Sequence, residues 1–462
     1  EYYRLTSGFI YKSIWVATRK TSSQCIACIG TFFNIKGVKM MINIAKGTQD
    51  LLPEVTNDWQ YVENKLRKIA QNYNYKEIRT PIFEHTELFT RGVGGSTDIV
   101  QKEMYTFTDK GDRSITLRPE GTAPVVRSYI ENKMHGYANQ PIKLFYEGPM
   151  FRYERKQKGR YRQFVQFGVE AIGAEDPAID AEIIAMVMDI YQSFGLKKLK
   201  LYINSIGDID SRSEYNKALV EHFKPSIEEF CSDCQQRIDT NPMRILDCKK
   251  DREHPLVKSA PTIYDYLNDD SKQYFEQVKL YLDQLGIDYE VDTNLVRGLD
   301  YYTHTAFEVM SDAEGFGAIT TLCGGGRYNG LLEMLDGPNE TGIGFALSIE
   351  RLLLALEAEG IEIEHDDALD LFIATLDEDS KQYAVQLLHR LRKAGIRADT
   401  DYKSRKLKGQ MKQADRERAK YTIVLGENEI KNQQVKLKDM NDGGEDVIEL
   451  SLLTDELKER LS

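Results

Sequence analysis

The sequence has 462 residues, of which 41% are hydrophobic and 29% are charged, and its formal net charge is −12. This length is enough for two to four domains with separate cores, and the composition excludes a largely disordered chain. No apolar run is long enough to span a membrane, so we expect no membrane partner, and the acidic balance excludes a general nucleic-acid coating protein.

Residues 1–40 differ in character from the rest of the chain. They are aromatic and mildly basic, and they lack the basic start, apolar core and cleavage site of a clear signal peptide. The character changes at Met40-Met41, where a more ordinary sequence begins. We therefore predict that residues 1–40 are an upstream extension or a misplaced start that lies outside the working fold.

The first predicted elements of the fold lie between residues 54 and 117. Residues 54–74 carry apolar side chains at helical spacing, and Tyr75 to Phe83 has the composition of a strand. Residues 104–107 and 114–117 read as strands around the turn sequence Asp-Lys-Gly-Asp, which predicts a β-hairpin.

A polar turn at residues 118–122 leads from this hairpin into a helix that begins near Ala123. Thr122 is a residue type that often caps helix N-termini, which is one interpretation of the turn. Glu120 supports another interpretation, because its carboxylate could hold the ammonium group of a ligand.

Six cations and one carboxylate lie between Arg152 and Arg162, in a chain that is acidic overall. Strand-like sequences flank this run and Lys158-Gly159 marks a turn, which favours a hairpin over a merely solvated surface. We call residues 152–162 the basic hairpin. Arg152 and Arg162 near its base would suit phosphate, because guanidinium groups bind phosphate oxygens bidentately.

The strand that returns from the basic hairpin is predicted to have two different faces. Side chains alternate along a strand, so Val165, Phe167 and Val169 form a core-facing side. Gln166 and Glu170 lie on the other side, where polar groups on a half-buried surface need partners. Those partners would be neighbouring cations of the same sheet or a ligand with N–H donors.

A helix at 178–195 and a strand at 198–204 follow, and residues 208–288 are helix-rich and separate two strand-rich blocks. We therefore interpret 208–288 as an insertion. Because the strands come in antiparallel runs with helices around them, the sequence predicts an α+β fold rather than a doubly wound sheet.

The insertion contains Cys231, Cys234 and Cys248. With His254 they could ligate zinc, but the last spacing is irregular for a zinc site. Reduced thiols are the favoured interpretation for a long chain without a signal peptide, and we expect no metal.

Three later segments combine glycine with residues that could serve a ligand. Arg297 to His304 sets Arg, Asp and two tyrosines around a glycine, which is costly to bury without a function, although a surface loop would also explain it. Cys323 to Tyr328 contains three glycines that would let the backbone approach a ligand. Thr341 to Leu347 leads into an apolar helix that carries Glu350-Arg351.

The C-terminal part reads as a compact α/β module after a charged link near 358–368. The pattern predicts strands at 369–376, 396–399 and 421–425 and helices at 379–394 and 407–419. A second basic stretch runs through this module from Lys403 to Lys420. Two basic patches about 250 residues apart in the sequence suit an extended polyanion better than a small phosphate.

Taken together, these segments from residue 41 to 462 resemble the histidyl-tRNA synthetases of bacterial type. Tyr75 to Phe83 with Pro81, Phe151 to Glu154 with the basic hairpin, and Gly342 to Arg351 are similar to the three motifs of class II synthetases. Specificity for histidine is suggested by Leu295 to Thr303 and Gly324 to Tyr328, which are similar to segments peculiar to this family.

The resemblance implies a role for each matching residue in the pocket. Glu120, Thr122 and Gln166 would hold the α-ammonium of histidine, while Glu170 and Tyr302 would lie at the imidazole. The full set of histidine-binding residues that it implies is Glu120, Thr122, Gln166, Glu170, Arg297, Tyr301, Tyr302 and Tyr328. A pocket that matches both the donor and the acceptor of neutral imidazole rejects similar-shaped amino acids better than a pocket that matches shape alone.

The resemblance also implies the other substrates. The residues at ATP would be Arg152, Glu154, Arg160, Phe164 and Arg351. Catalysis would consist of positioning and charge neutralisation by Arg152, Arg297 and Mg²⁺, without a protein nucleophile. The residues at histidine tRNA would be Arg155, Gln157, Arg162, Lys406 and Lys412.

At the level of the whole protein, the resemblance implies a cytoplasmic homodimer with two working domains. Residues 41–365 would be the catalytic domain, interrupted by the helical insertion at about 208–288, and 366–462 would be the anticodon-binding domain. One alternative is a paralogue that senses histidine as a regulatory subunit of a biosynthetic phosphoribosyltransferase. Another amide ligase or class II synthetase is a further alternative, but it leaves the match at Arg297 to Thr303 unexplained.

Overall fold

The computed structural model describes residues 42–95, 97–155, 157–248, 250–296, 298–314, 320–363 and 367–461. The predicted extension at 1–40 and the predicted catalytic residue Arg297 therefore lie outside the described residues. Residues 49–462 belong to one compact unit, and of the unit that precedes it the described part is 42–48. Within the described ranges, no helix is both long and apolar enough to cross a membrane.

The strands are numbered in chain order. They are β1 Lys76–Glu77, β2 Phe83–His85, β3 Tyr105–Thr108, β4 Ser114–Leu117, β5 Ile142–Phe151, β6 Gln163–Ile172, β7 Leu199–Ser205, β8 Glu290–Val291, β9 Thr303–Ser311, β10 Thr321–Arg327, β11 Gly342–Ser348, β12 Leu371–Thr375, β13 Ala398–Thr400, β14 Tyr421–Leu425, β15 Gln434–Asp439 and β16 Glu445–Glu449.

The α-helices are numbered in the same way. They are α1 Pro53–Asn72, α2 Thr86–Phe89, α3 Thr122–Glu131, α4 Pro177–Ser193, α5 Ile209–Phe223, α6 Ser232–Thr240, α7 Pro255–Lys258, α8 Asp269–Gln284, α9 Leu331–Met334, α10 Ile349–Glu359, α11 Glu378–Lys393, α12 Leu407–Arg416, α13 Glu427–Asn432 and α14 Leu453–Leu461. Short 3-10 turns lie at Met134–Gly136, Lys224–Glu229, Pro242–Ile245 and Ile263–Tyr266, and π-helical turns at Thr90–Gly94 and Ile99–Glu103.

The main sheet has eight strands in the order β1-β5-β6-β11-β10-β9-β7-β8. Its six inner strands are all antiparallel, whereas β1 and β8 join the two edges in parallel. A separate three-stranded sheet, β2-β4-β3, contains the hairpin that was predicted at 104–117. This arrangement confirms the α+β prediction.

Helices cover both faces of the main sheet. Phe167 and Val169 of β6 pack against α1, α4 and α10 on one face, in a core that includes Trp59 and Leu66. On the other face α3 and the helical insertion form a second core around Tyr146 and other residues. The predicted core-facing side of β6 is therefore correct, and the opposite side of β6 faces the candidate site.

The strand predicted over Tyr75 to Phe83 is wrong as a single element. The backbone pairs first with β5, where the Ile78 amide donates to the Phe145 carbonyl at 2.8 Å, and later with the three-stranded sheet through β2. Pro81 between them has no N–H to give a ladder. The segment is held at this point by Arg118, whose guanidinium donates to the Thr80 carbonyl at 3.0 Å.

The described residues of 208–288 are helix-rich, as predicted. The segment packs with α3 on one face of the sheet through residues up to Leu267, and its helix α8 packs with α4 on the other face. It also contacts the loop before β9. Arg212 donates to the Tyr302 carbonyl at 2.7 Å, and Asn241 donates to the Asp300 carboxylate at 2.7 Å. The insertion therefore helps to fix a loop that lines the site.

The C-terminal module is a five-stranded mixed sheet, β13-β12-β14-β15-β16, in which β12 to β14 are parallel. Helix α11 and strand β14 lie within one residue of their predicted bounds. The antiparallel strands β15 and β16 and the last two helices were not predicted. Apolar side chains fill both faces of this sheet, so the module has a core of its own.

Candidate active site

A cavity of about 200 Å³ opens over the main sheet, on the face of β6 that turns away from the first core. Strands β5, β6, β10 and β11, the start of α3, the loop before β9 and the basic hairpin all contribute to it. It brings together twelve residues that the sequence predicted: Glu120, Thr122, Arg152, Glu154, Arg160, Phe164, Gln166, Glu170, Tyr301, Tyr302, Tyr328 and Arg351. Their individual roles stay predictions.

The strand alternation along β6 explains part of this arrangement. Phe164, Gln166 and Glu170 line the cavity, and β5 and β6 pair continuously from Ile142–Ile172 to Phe151–Gln163. The basic hairpin closes beyond this ladder with a bridge between Gln157 and Arg160. The hairpin predicted from the charge run is therefore confirmed, and it forms one wall of the cavity.

Glu170 lies at the floor of the cavity and is 1% exposed. Its carboxylate accepts hydrogen bonds from the hydroxyls of Thr122 and Tyr328, each at 2.7 Å, and a longer one from Tyr146 at 3.5 Å. Burial raises the pKa of Glu170 to about 8, although the Tyr328 and Thr122 hydroxyls oppose this shift. Its partners in the cavity are thus neutral hydroxyls rather than the cation that the sequence offered as one possibility.

Glycines make room for this carboxylate. A Cβ at Gly344 would lie 2.1 Å from Glu170 Oε2 and 2.3 Å from the Val169 carbonyl oxygen. A Cβ at Gly168 would lie 2.4 Å from the Tyr146 hydroxyl. Gly168 of β6 and Gly344 of β11 therefore allow Tyr146 and Glu170 to lie close to the sheet backbone.

Of the two interpretations of the turn at 118–122, the helix cap by Thr122 does not form. Gly121 occupies the N-cap position of α3, and the Glu120 carboxylate accepts from the amides of Thr122 and Ala123 at 2.7 and 3.0 Å. Thr122 instead uses its hydroxyl to reach Glu170. Burial raises the pKa of Glu120, and the two backbone amides oppose that shift because they stabilise the ionised form.

Arg152 is held at the edge of the cavity by its own Nε, which donates to the Pro119 carbonyl at 2.8 Å. Its guanidinium carbon lies 5.4 Å from the centre of the Phe164 ring. Both contacts fix the plane of the guanidinium. Among the described residues, the Arg152 guanidinium donates its hydrogen bond through Nε. Its two terminal nitrogens therefore remain for a ligand.

Further cations surround Arg152. Arg160 pairs with the Glu154 carboxylate at 3.0 Å, and Arg351 donates to the Thr321 carbonyl. Burial, followed by repulsion from Arg160, lowers the pKa of Arg351 to about 10, so this side chain stays charged at neutral pH. A concentration of guanidinium groups around one cavity favours a polyanionic ligand such as a triphosphate.

Tyrosines form the wall next to Glu170. The ring centres of Tyr301 and Tyr302 lie 4.7 Å apart, and those of Tyr301 and Tyr328 lie 5.7 Å apart. Burial raises the pKa of Tyr301 and Tyr328 well above the usual value, so both hydroxyls remain neutral donors. Gln166 Oε1 is buried without a hydrogen-bond partner among the described residues, and it can therefore accept from a ligand.

Tyr146 lines the cavity and was missed by the sequence analysis, whereas Glu350, next to the predicted Arg351, is not among the lining residues. Tyr146 on β5 lies opposite Gly168, and Glu350 accepts from the Val165 amide at 2.9 Å and the Ser348 hydroxyl at 2.7 Å. Alternation along β5 could have indicated Tyr146, because its neighbours on the facing strand were already assigned. The partners of Glu350 depend on tertiary packing.

The residues predicted to contact nucleic acid lie at two surfaces. Arg155 and Gln157 are exposed on the basic hairpin, and Arg162 at its base lies 3.6 Å from the centre of the Tyr153 ring. Lys406 and Lys412 are exposed at the start and on the surface of α12. Within the described residues, neither lysine forms an ion pair with a carboxylate.

Comparisons with known proteins agree with this geometry. A family model described as histidyl-tRNA synthetase matches residues 47–352, and one described as anticodon binding domain matches 370–460. Histidine–tRNA ligases of Staphylococcus haemolyticus and Macrococcus caseolyticus are 68% and 69% identical over 421 and 419 residues, which cover 91% of this chain and 100% of each relative. The solved structure of apo Staphylococcus aureus histidyl-tRNA synthetase has a TM-score of 0.79 and 63% identity, covering 90% of this chain and 100% of that one.

Proposed function

Because the chain belongs to the histidyl-tRNA synthetase family, we propose that the cavity above β6 holds histidine and ATP side by side for adenylate formation. The chain is an ATP-dependent ligase that joins histidine to its tRNA. The observation that carries the assignment of the cavity is the buried Glu170 carboxylate, surrounded by hydroxyls and facing the cluster of arginines. ATP–pyrophosphate exchange measured with each amino acid in turn tests it, because exchange stimulated by another amino acid would contradict the proposal.

Histidine is placed with its imidazole toward Glu170 and Tyr302 and its α-ammonium toward Glu120, Thr122 and Gln166. The unpaired Gln166 Oε1 supports this orientation because it can accept from an ammonium group. Glu120 adds a negative charge at the same end of the cavity. Tyr301 and Tyr328 would line the pocket, and the Tyr328 hydroxyl would hold Glu170 in its acceptor role.

ATP is placed against the arginine cluster, with Arg152 and Arg351 on its phosphates and Glu154, Arg160 and Phe164 around it. The fixed plane of the Arg152 guanidinium supports this role, since a preorganised donor loses little entropy when it binds phosphate. Arg297 is assigned to the α-phosphate by the family resemblance.

The reaction then needs no protein nucleophile. A carboxylate oxygen of histidine attacks the α-phosphorus, the bond from phosphorus to the bridging oxygen breaks, and pyrophosphate leaves with the electron pair. The terminal ribose hydroxyl of the tRNA next attacks the adenylate carbonyl, loses its proton, and releases AMP. The arginines act by positioning the reactants and by neutralising charge that builds on phosphate.

The residues present also fit Mg²⁺, which accompanies ATP in this proposal. Mg²⁺ takes oxygen ligands and is commonly held by one or two carboxylates together with substrate phosphates. Of the cavity carboxylates, Glu154 supports this role because it lies among the arginines, whereas Glu120 and Glu170 are engaged at the histidine end. The ion would supply further neutralisation of phosphate charge.

The tRNA is placed across both basic surfaces. Arg155, Gln157 and Arg162 would approach the acceptor end, because the basic hairpin borders the cavity where adenylate forms. The chain carries an anticodon-binding domain, and Lys406 and Lys412 would contact phosphates there. We keep the proposed domain limits of 41–365, with an insertion at about 208–288, and 366–462.

Replacing Lys406 and Lys412 with alanine should weaken tRNA binding and reduce its salt dependence. Each lysine that neutralises a phosphate contributes a slope of roughly 0.7 to 0.9 to the plot of log K against log salt. The plot is measured by tRNA binding between about 50 and 200 mM salt. Lys436→Ala is the matched control, because this exposed lysine of the same module pairs with Glu445 at 3.2 Å. An unchanged slope in the double variant would contradict the assignment.

The raised pKa of Glu170 predicts a pH dependence of histidine use. The ionised carboxylate accepts an N–H from imidazole much more strongly than the protonated acid does, and burial raises the pKa of Glu170 to about 8. Since kcat/KM reports the free enzyme, kcat/KM for histidine in pyrophosphate exchange should rise about fivefold from pH 7 to 8, rise nearly twofold more by about pH 9, and then level off. Glu170→Gln should remove the slope.

Glu147→Gln is the control for this pH profile. Glu147 is also buried, which raises its pKa to about 7, but its carboxylate pairs with Arg67 outside the cavity. The slope should therefore persist in Glu147→Gln. A profile that is flat between pH 7 and 8 in the unchanged protein would contradict the role of Glu170.

We also propose that the protein works as a cytoplasmic homodimer, as the family resemblance implies. The exposed apolar side chains of Ile82, Phe83 and Phe107, on and beside the three-stranded sheet, support a partner surface there. Molecular mass in solution, compared between the unchanged protein and Phe83→Glu, tests the homodimer.

A regulatory subunit without ligase activity is not favoured. The anticodon-binding domain is present, and relatives of 68% and 69% identity over 91% of the chain are histidine–tRNA ligases. Arg152 and Arg351 also line the cavity.

A further inference from the structure

Four potential metal ligands converge in the helical insertion, away from the cavity that binds the substrates. They are the thiols of Cys231, Cys234 and Cys248 and the carboxylate of Asp251, and their ligand atoms all lie within 4.8 Å of one another. Cys234 and Cys248 are buried, whereas Cys231 and Asp251 are partly exposed. We call these four residues the cysteine cluster.

Two distances in the cysteine cluster match those of a tetrahedral zinc site. With Zn–S bonds of about 2.3 Å and a Zn–O bond of about 2.1 Å, tetrahedral geometry separates two sulfurs by about 3.8 Å, and a sulfur from an oxygen by about 3.6 Å. The Cys231 and Cys248 sulfurs are 3.7 Å apart, and Cys248 Sγ lies 3.5 Å from Asp251 Oδ2. All three cysteines are free thiols in the structure.

The sequence order also fits a zinc site. Two residues separate Cys231 from Cys234, and two separate Cys248 from Asp251, which is the short spacing typical of paired zinc ligands. Cys231 is the N-cap residue of α6 and Cys234 lies in its first turn. The second pair is held by backbone bonds to the Cys248 carbonyl, from Asp251 at 3.2 Å and from Arg252 at 2.8 Å.

The surroundings of the cysteine cluster favour an anionic metal complex. The Cys231 amide donates to Asp251 Oδ2 at 3.1 Å, which orients the carboxylate from outside the ligand set. Lys102 and Lys250 both pair with Asp233, which lies between the first two cysteines in sequence. These cations would offset the charge of three thiolates and one carboxylate around a divalent ion.

His254, the fourth ligand that the sequence suggested, is not in the cysteine cluster. Its Nδ1 accepts from the Leu256 amide at 3.2 Å and its ring packs on Phe230, with 4.3 Å between ring centres. Asp251 takes the fourth position instead. The spacing looked irregular because it was measured to His254, and with Asp251 the two pairs have equal spacing.

We propose that the cysteine cluster binds one structural Zn²⁺ ion through three thiolates and the Asp251 carboxylate. This replaces the expectation of reduced thiols without metal. The ion joins the start of α6 to the chain at Cys248 and Asp251, while the residue after α6, Asn241, holds Asp300 beside Tyr301. The site is closed by four protein ligands, which is typical of a structural zinc rather than a catalytic one.

The test measures zinc directly in the full-length protein without an affinity tag. Protein purified from cells grown with zinc, and then freed of loosely bound metal, should carry about one zinc per chain by elemental analysis. Cys231→Ser and Cys248→Ser should each lose at least about nine tenths of it. Asp251→Ala should also lose zinc, whereas Asp233→Ala, which removes a neighbouring carboxylate outside the cluster, should retain it.

A second Cys-x-x-Cys pair, Cys25 and Cys28, lies elsewhere in the sequence and needs its own control. The double variant Cys25→Ser/Cys28→Ser should keep its zinc. Zinc that disappears in this variant, or that persists in Cys231→Ser, would overturn the proposal. A disulfide between Cys231 and Cys248 in freshly purified protein, found by thiol titration and peptide mapping, would overturn it as well.

Cobalt substitution of the unchanged chain covers the case in which a variant fails to fold. After chelation, one equivalent of Co²⁺ should produce thiolate-to-cobalt charge-transfer absorption and the visible bands of tetrahedral cobalt. One equivalent of Zn²⁺ should abolish both and restore the melting temperature lost on chelation. Octahedral cobalt spectra, or a melting temperature that does not respond to chelation, would count against a structural zinc.

Discussion

Replacing Glu170 with alanine is expected to lower kcat/KM for histidine by about 10³- to 10⁴-fold in pyrophosphate exchange, while the KM for ATP changes little. The carboxylate is buried at the floor of the cavity, and the hydroxyls of Thr122 and Tyr328 both donate to it. Removing it leaves these two donors without their acceptor and leaves the imidazole N–H unpaired. Both losses act on histidine and not on ATP.

Two further variants separate this effect from a general loss of structure. Glu182→Ala removes a carboxylate that binds Lys143 outside the cavity, and it should leave histidine use within about twofold of the unchanged protein, as expected for a change away from the reacting groups. Glu170→Gln keeps the shape but not the charge and should remain at least about 10²-fold impaired. If Glu170→Ala used histidine normally, the imidazole would have to bind elsewhere.

The two faces of β6 could be predicted from the sequence because they depend on local rules. Alternation along β6 separates Phe167 and Val169 from Gln166 and Glu170, and burial follows that separation. The unbalanced charge of 152–162 indicated a ligand-binding wall. What local rules could not supply is the set of partners of Glu170, since Thr122 and Tyr328 lie 48 and 158 residues away in the sequence.

The interpretation of Thr122 as the cap of α3, which the sequence left open, is not borne out for the same reason. Thr122 has the side chain of a helix cap, and in isolation it would use its hydroxyl on the helix backbone. The fold offers it the Glu170 carboxylate instead, and Glu120 takes over the amides of Thr122 and Ala123. A tertiary contact with a buried carboxyl group therefore overrides a local preference.

Arg327 shows a further limit of sequence reasoning. It follows the glycines of β10, is fully buried and pairs with Asp180 of α4, a partner 147 residues away in the sequence. The Nη1 atom of Arg327 also donates to the Ala174 carbonyl at 2.8 Å. The guanidinium thus ties β10 to α4 under the sheet, and the adjacent Tyr328 lines the cavity.

Replacing Arg152 with alanine is expected to lower the rate of adenylate formation by about 10²- to 10³-fold with histidine binding nearly unchanged. The side chain is fixed by its Nε bond to Pro119 and by Phe164, so its terminal nitrogens are already oriented when ATP enters. Single-turnover adenylate formation measures the chemical step directly. Arg113→Ala, which removes an exposed arginine paired with Asp109 on the β3–β4 hairpin, is the control.

The way in which the Arg152 variant fails distinguishes two roles. If kcat and kcat/KM for ATP fall together, Arg152 acts on charge that develops in the transition state, which is the role proposed here. If only KM for ATP rises, the arginine holds the ground state and the transition state equally. Arg152→Lys sharpens this test, because an ammonium restores the charge but not the planar pair of donors. Recovery to near-normal rates with lysine would mean that charge alone suffices and that the orientation set by Pro119 is not used.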